Sequence, residues 1–506
     1  MKKKVIIVGA GPGGLTSGML LANKGYDVQV FEKKSYVGGR NGCIKMKDFK
    51  FDIGPTFLML PEIFYDVFSF TDRKLDDYIE MKEIDPFYRL RFKGSIDFFP
   101  SRDRKYMLEQ IDKLFPGDSE GYDRFMKREK IKFDRVYKCL KTPYHSLLHF
   151  LRPILVKAIP KLDLGKSLYN KLATYFKHKD LRIALTFQAK YLGMSPWECP
   201  ATFTILSYIE HSRGIFHPIG GLNKISEAMA KVVEEEGGKI HLSTPVNEII
   251  VEDGVAKGVI LEDGKREMAD YVIINADFAH AMTTIVKKEN RKKYTDEDLM
   301  KRDYSCSTFM LYLGLGKKYD IPHHNIIFAD DYMLNVEEIA QKKVLSKDHS
   351  LYIQNASQID PTLAPEGKST IYILVPVPNN SSEINWNEEK LKMRRQILDT
   401  IKKRTELKDL EDYIEVEKII TPLDWENEYG VYKGATFNLS HKIFQMLYFR
   451  PHNRFEEFKK CYLVGGGTHP GSGLPTIVES GRIAANMIIQ DENLGLAFKY
   501  KDVFEK

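Results

Sequence analysis

The chain has 506 residues, 43% of them hydrophobic and 29% charged, and carries a net charge of +6. That length exceeds one simple core, so two interlocked domains are expected. Its five cysteines, Cys43, Cys139, Cys199, Cys306 and Cys461, are scattered without C-x-x-C spacing, which argues against a disulfide framework or a cysteine zinc site and for a reducing, cytoplasmic setting.

The first element is "VIIVGAGPGG" at 5–14, placed after "MKKK". A basic start and an apolar run resemble a secretory signal, but Gly9, Gly11, Pro12, Gly13 and Gly14 interrupt it. Glycine costs a helix about 1 kcal/mol and proline about 3 kcal/mol. The better reading is a buried strand at 4–8, a glycine turn, a helix at 13–24 stopped by Gly25, and a strand at 27–31 ending in Glu32. Gly9 permits the tight turn, Gly11 admits a pyrophosphate, and Gly14 lets the helix pack close to the sheet. The helix N-terminus favours phosphate oxygens, and Glu32 stands where a carboxylate binds a ribose diol. That carboxylate disfavours NADP, whose extra phosphate it would repel.

"YVGGRNG" at 36–42, with Gly39 and Arg40, and "FDIGPTF" at 51–57, with Gly54 and Pro55, prolong the series of close backbone contacts. A long flavin dinucleotide demands such a series more than a nicotinamide one does, so FAD is the expected cofactor. Asp52 is expected to tie down the loop before Gly54.

Residues 141–182 hold nine Lys or Arg against Asp163 and Asp180, a local +7 interleaved with Leu147, Leu148, Phe150, Leu151, Ile154, Leu155 and Ile159. Pro153 and Pro160 break the stretch, and no apolar run in it spans a bilayer. Two readings stand: a lid over an apolar cleft, and a segment lying on anionic lipid. No nucleic-acid motif accompanies the charge.

Further on, 214–277 gives Gly220–Gly221 before a helix at 222–236, a strand "KIHLSTPV", two hairpin signals at Asp253-Gly254 and Asp263-Gly264, and an apolar strand "YVIINAD". The charge run at 287–303 reads as a solvated connection. "KCYLVGGG" at 460–467 is a strand entering glycines, and 473–490 is a helix with Pro475 near its start. His145 and His149 are spaced H-x-x-x-H, but neither they nor His211, His217, His323 and His324 form a fuller ligand motif, so no metal is expected.

The series "GAGPGGL…FEK…VGGR…FDIGPT" resembles the flavin amine oxidase superfamily. "HHNIIFADDY", "SLYIQNASQIDPTLAPEGKSTIYILVPVPN", "FRPHNR" and "YLVGGGTHPGSGLP" resemble its branch of bacterial-type phytoene desaturases and carotenoid desaturases. The likeness runs through most of the chain. Ser472, where a smaller alanine is expected, and "TIVESGRIAA" after Pro475 depart from that branch.

The resemblance implies an α/β fold. A Rossmann-like FAD-binding domain would be assembled from 1–75, 215–290 and 455–506, and a substrate domain, associating with membrane, from 76–214 and 291–454. It places Val246 beside the adenine through its backbone, and Gly466, Gly473, Leu474, Pro475 and Thr476 beside the flavin. It implies a long apolar polyene as substrate and a peripheral membrane location. The reaction would be a desaturation: a hydride passes to flavin N5, and a proton passes to a base or solvent. His469 is the candidate base, since imidazole titrates near neutrality. The final electron acceptor is oxygen or a quinone. Other activities on this fold are a C30 diapophytoene desaturase, a carotenoid oxygenase or isomerase, a polyene saturase, an amine oxidase and a prenyl-binding escort.

Overall fold

The computed structural model describes residues 2–499. Its first sheet is parallel, in the order Cys461–Leu463, Tyr271–Ile274, Lys4–Val8, Asp27–Phe31, Lys239–His241. The central strand holds Val5, Ile6 and Ile7 with no exposed surface, as a strand covered on both faces requires. One face packs Val5, Ile7, Val28 and Val30 against the helices Pro12–Asn23, Asn223–Glu235 and Leu474–Asp491. The other packs Ile6, Val8, Val272 and Ile274 against Ile249, Ala256 and Val259 of a three-stranded antiparallel sheet. The five parallel strands thus come from three stretches far apart in sequence.

A second sheet has seven strands, ordered Ile414–Ile420, Ser307–Leu315, Ser369–Val377, Leu351–Gln354, His324–Ile327, Arg89–Arg91, Asp97–Phe98. Neighbours run antiparallel except His324–Ile327 and Arg89–Arg91. Ser307–Leu315 is buried throughout, and Trp386–Arg404 packs Met393, Ile397 and Ile401 into the same core.

Three local expectations need correction. "KIHLSTPV" is not one strand: Lys239–His241 ends the parallel sheet, and Val246–Glu252 starts another. Ser243 at φ +50° turns the chain, and Pro245 has no N–H for a ladder. The run 287–303 is anchored rather than simply solvated. Arg291 is buried and donates to the Tyr294 carbonyl and Asp296, and Leu299 is fully buried. Within 141–182 the net charge is partly offset from outside, because Lys141 lies 3.5 Å from Glu479; Lys171 pairs with Asp163 of the same stretch at 2.9 Å. Pro153 opens the short helix Pro153–Ala158 at a position where its missing N–H does no harm.

Candidate active site

Both sheets contribute to one cavity of about 520 Å³. Its first end is built from backbone. Gly9 sits at φ +98°, and a Cβ there would lie 2.3 Å from the Asn275 carbonyl oxygen. Only glycine fits. Asn275 Nδ2 donates to the Gly9 carbonyl at 2.8 Å and the Gly11 carbonyl at 3.1 Å, pinning the turn from the neighbouring strand. The helix that follows has no side-chain cap, so its first N–H groups remain for an anion.

Glu32 is buried, and its carboxylate accepts from the Ala10 N–H at 2.7 Å and the Lys34 N–H at 2.8 Å. Arg40 lines the same wall, donates to the Thr436 carbonyl at 2.7 Å and faces Asp277. Burial lowers the pKa of Arg40 and raises that of Asp277, while their mutual attraction opposes both shifts.

Gly39, Gly54, Pro55, Val246, Gly466, Gly473, Leu474 and Pro475 line the cavity together with Gly9, Gly11, Glu32 and Arg40. Gly14 does not. A Cβ on it would come 2.6 Å from the Gly9 carbonyl oxygen, so its work is packing. Thr476 also faces away, its single hydroxyl proton aimed among the carbonyls of Gly471, Ser472 and Gly473. Ser472 lines the cavity and donates to the Phe437 carbonyl at 2.7 Å, which holds the glycine loop.

His469 stands outside the cavity lining. It is buried, its Nε2 donates to the Thr142 carbonyl at 3.0 Å, and burial pushes its pKa down to about 3. That is the geometry of a tether between two loops, not of a base facing this cavity. Asp52 accepts from the Leu222 N–H at 2.7 Å, and burial pushes it up to about 6. No residue of 141–182 lines this cavity, so the expected lid does not cover it.

The second end is built from side chains. Phe57, Met59, Phe187, Tyr191, Met194, Ile326, Tyr332, Ile339, Leu351, Tyr352 and Leu374 line it. Tyr191 meets Phe57 and Phe187 edge-on at 5.4 and 5.5 Å. Lys190 lies over the Tyr332 ring at 4.8 Å, and burial lowers it to about 7. The Tyr191 hydroxyl donates to Glu210 at 3.0 Å, and Tyr88 and Gln188 donate to the other Glu210 oxygen at 2.9 and 2.7 Å. Burial pushes Glu210 up to about 7.

Comparison with known proteins gives this geometry a family. Residues 12–489 match the flavin containing amine oxidoreductase family. Over 501 residues the chain is 52% identical to the 4,4'-diapophytoene desaturase (4,4'-diapolycopene-forming) of a Methylomonas species, covering 99% of this chain and 97% of the relative. It is 34% identical to the neurosporene-forming phytoene desaturase of Rhodobacter capsulatus, covering 96% of this chain and 94% of that one. The chain belongs to the flavin containing amine oxidoreductases, in their carotenoid-desaturase branch. A putrescine oxidase structure shares the fold with a TM-score of 0.64 at 15% identity, covering 97% of this chain and 99% of the other.

This family member is therefore an FAD-dependent oxidoreductase. The first end of its cavity fits FAD: a positive-φ turn too tight for a Cβ, uncapped helix N–H groups, and a buried carboxylate and guanidinium on one wall. Sequence reasoning missed Asn275 as the clamp of the glycine turn. It also missed the aromatic second end, whose members lie on six separate stretches and carry no spacing signal.

Proposed function

We propose that this flavoenzyme desaturates a thirty-carbon polyene of the 4,4'-diapophytoene type. The chain length rests on the 52% identity over 99% of the sequence. The reaction type rests on one observation: the backbone-lined end and the aromatic, aliphatic end are parts of one cavity. A hydrocarbon has no charge or hydrogen-bonding group, so it is held by burial and shape, at about 25 cal/mol per Å² of apolar surface. FAD, when bound, supplies a two-electron hydride acceptor at N5. The protein's share is to seat dinucleotide and polyene end to end. Glu32 and the glycine turn hold the ribose and pyrophosphate. Arg40, Gly54, Pro55, Gly466, Gly473, Leu474 and Pro475 line the path between them. Phe57, Tyr191, Tyr352 and Leu374 present the apolar wall.

Such a substrate dissolves in membrane, and the surface offers a place to meet it. Leu147, Leu148, Leu151, Val156, Ile159 and Leu164 are exposed, Leu148 and Leu151 at 72%. Phe150 meets Phe449 at 6.3 Å, and Phe449 meets Phe444, itself 79% exposed, at 5.8 Å. Lys157 and Lys166 are exposed within the same stretch. An apolar patch with basic residues among it suits an anionic lipid surface. No helix among the described residues is long and apolar enough to cross a membrane.

The test is incubation of the FAD-loaded protein with 4,4'-diapophytoene or phytoene in liposomes, following polyene absorbance. New conjugation, faster with the shorter chain, supports the proposal. Conjugation with phytoene alone overturns the chain length. No conjugation in either overturns the reaction type.

A further inference from the structure

A row of buried hydrogen-bonding side chains leads away from the cavity wall. Thr56 and Tyr352 both line the cavity, on either side of the Thr56 Oγ1 to Tyr352 Oη contact at 2.5 Å. Tyr352 Oη lies 2.7 Å from His324 Nδ1. His324 Nε2 lies 2.9 Å from His323 Nδ1. The sheet register builds the first step: His324 pairs with Gln354 on the neighbouring antiparallel strand, so Tyr352 stands diagonally across from His324 on one face. The His323 ring then meets the His217 ring edge-on, with centroids 5.1 Å apart. His217 Nε2 lies 2.9 Å from Asp360 Oδ2. His217 and Asp360 have no exposed surface, and His324 has 1%.

Two nitrogens in this row are buried without a partner: His323 Nε2 and His217 Nδ1. Their protonation follows from the bonds around them. Asp360 also accepts from the Gly220 N–H at 2.7 Å and from Thr362 Oγ1 at 2.7 Å. A carboxylate that only accepts makes His217 Nε2 the donor, so neutral His217 has a bare Nδ1. The remaining bonds admit two consistent directions. In one, Tyr352 donates to His324 Nδ1, His324 donates from Nε2 to His323 Nδ1, and His323 carries its proton on Nε2. In the other, every proton sits one place back and His323 Nε2 is bare. Only the first gives His323 a donor facing a residue with a bare nitrogen, His217, with which it is in ring contact but not hydrogen-bonded at rest.

We propose that Thr56, Tyr352, His324, His323, His217 and Asp360 form a relay that carries away the proton released by desaturation. This rests on the desaturase reading above. When the substrate loses a hydride to the cofactor, the neighbouring C–H belongs to an allylic cation and is acidic enough for a neutral oxygen. That C–H bond breaks, its electron pair becomes the new double bond, and the proton bonds to Tyr352 Oη. The Tyr352 proton passes to His324 Nδ1 and the His324 Nε2 proton to His323 Nδ1; the His323 Nε2 proton then crosses to His217 Nδ1 when the two rings, in edge contact at rest, turn those nitrogens into hydrogen-bond distance. The charge comes to rest as a His217 imidazolium beside the Asp360 carboxylate. The relay is then in its second direction; it resets when solvent reaches His217, which has no exposed surface at rest, the His217 proton is lost and the row returns.

The electrostatics agree with a passage rather than a store at the middle. Burial holds the pKa of His323 and His324 well below the usual imidazole range. Burial disfavours ionised Asp360, yet bonds from His217, Thr362 and Gly220 hold its carboxyl below the usual carboxylate range. The other charged groups felt by this row are Asp52, beside His217 and Asp360, and Lys82, beside His323.

The test uses the FAD-loaded full chain in anaerobic single turnover with the polyene in liposomes. Tyr352→Phe is expected to slow the appearance of the conjugated product about 10²-fold, the usual share of a positioned proton acceptor. His217→Asn is expected to slow it less. The wild-type rate plotted against the D₂O fraction is expected to curve, because several protons move in one step, and the curvature is expected to vanish in Tyr352→Phe. Wild-type rate in Tyr352→Phe, or a straight plot in the parent, overturns the relay. Independently of turnover, ¹⁵N NMR of the resting protein is expected to show the Nε2–H tautomer at His217, His323 and His324. An Nδ1–H tautomer at His324 overturns the relay even where a variant fails to fold. Absence of turnover in the parent overturns the desaturase reading, and with it the use of the relay, whatever the tautomers show.

Discussion

The two ends of the cavity are built on different principles. The glycine end is made by main chain: Gly9 and Gly11 held by Asn275, with Glu32 clamped between the Ala10 and Lys34 amides. The aromatic end is made by side chains that need not be glycine, acidic or basic, such as Tyr191 on Glu210 and Tyr352 on His324. A main-chain site tolerates almost no change, because a Cβ either fits or collides. A side-chain site tolerates change in proportion to what each group touches, and it holds the titratable groups that give the molecule its pH dependence.

Four measurements press on that contrast. The largest effect is expected from Gly9→Val. The added atoms meet the Asn275 carbonyl at a backbone angle that side chains rarely adopt, and the loss exceeds about 3 kcal/mol. Folded, yellow protein at the parent's yield would show that the turn has room it is not seen to have.

Next is Glu210→Gln, which mimics the neutral acid. Burial raises the pKa of Glu210 from its ordinary value of 4.5 to about 7, so the folded state holds the proton more tightly. Its stabilisation is therefore fully present below about pH 4.5 and lost as pH rises through 7, worth on the order of 3 kcal/mol. Denaturant midpoints across that window should fall more steeply in the parent than in the variant; parallel curves would contradict the assignment.

Glu32→Ala removes the acceptor of two amide bonds, and about 2 kcal/mol of stability is expected to go with it. FAD retention should weaken about tenfold, since 1.4 kcal/mol of binding is one decade. Unchanged FAD occupancy after dialysis would take this carboxylate out of the ribose site. The smallest effect is expected at the surface. Reversing the charges of Lys157, Lys161 and Lys166 should reduce sedimentation with anionic vesicles and leave turnover of detergent-dispersed substrate unchanged. Equal sedimentation would remove the lipid-facing role of this stretch.

The same contrast explains what the sequence disclosed. A main-chain site demands glycine at fixed spacing, so Gly9, Gly11, Glu32 and Gly54 could be read directly, and the strand 27–31 is where the pattern put it. The apolar strands 4–8 and 271–274 were equally plain, because a strand covered on both faces has to be apolar throughout. Asn275 was not legible, since an asparagine at a strand end signals a turn as readily as a clamp. His469 was misread for a related reason: a glycine-rich motif says that a loop comes close to the cofactor, but not which way each side chain points. Tyr352, His324 and His217 were invisible as a set. Register within one sheet joins the first two, and the third comes from a separate two-stranded sheet, so no spacing in the chain relates them.

The parallel sheet also has a bearing on how the molecule is made. Its edge strand Cys461–Leu463 pairs with Tyr271–Ile274, nearly two hundred positions earlier in the chain. During synthesis the earlier strands emerge while that edge is still unpaired, and contacts of such long separation form late and slowly. The glycines at 465 and 466 and the helix Leu474–Asp491 emerge later still. A nascent polypeptide therefore holds only part of the cavity lining until Gly465 to Pro475 have emerged, and whatever that wall holds must wait for them.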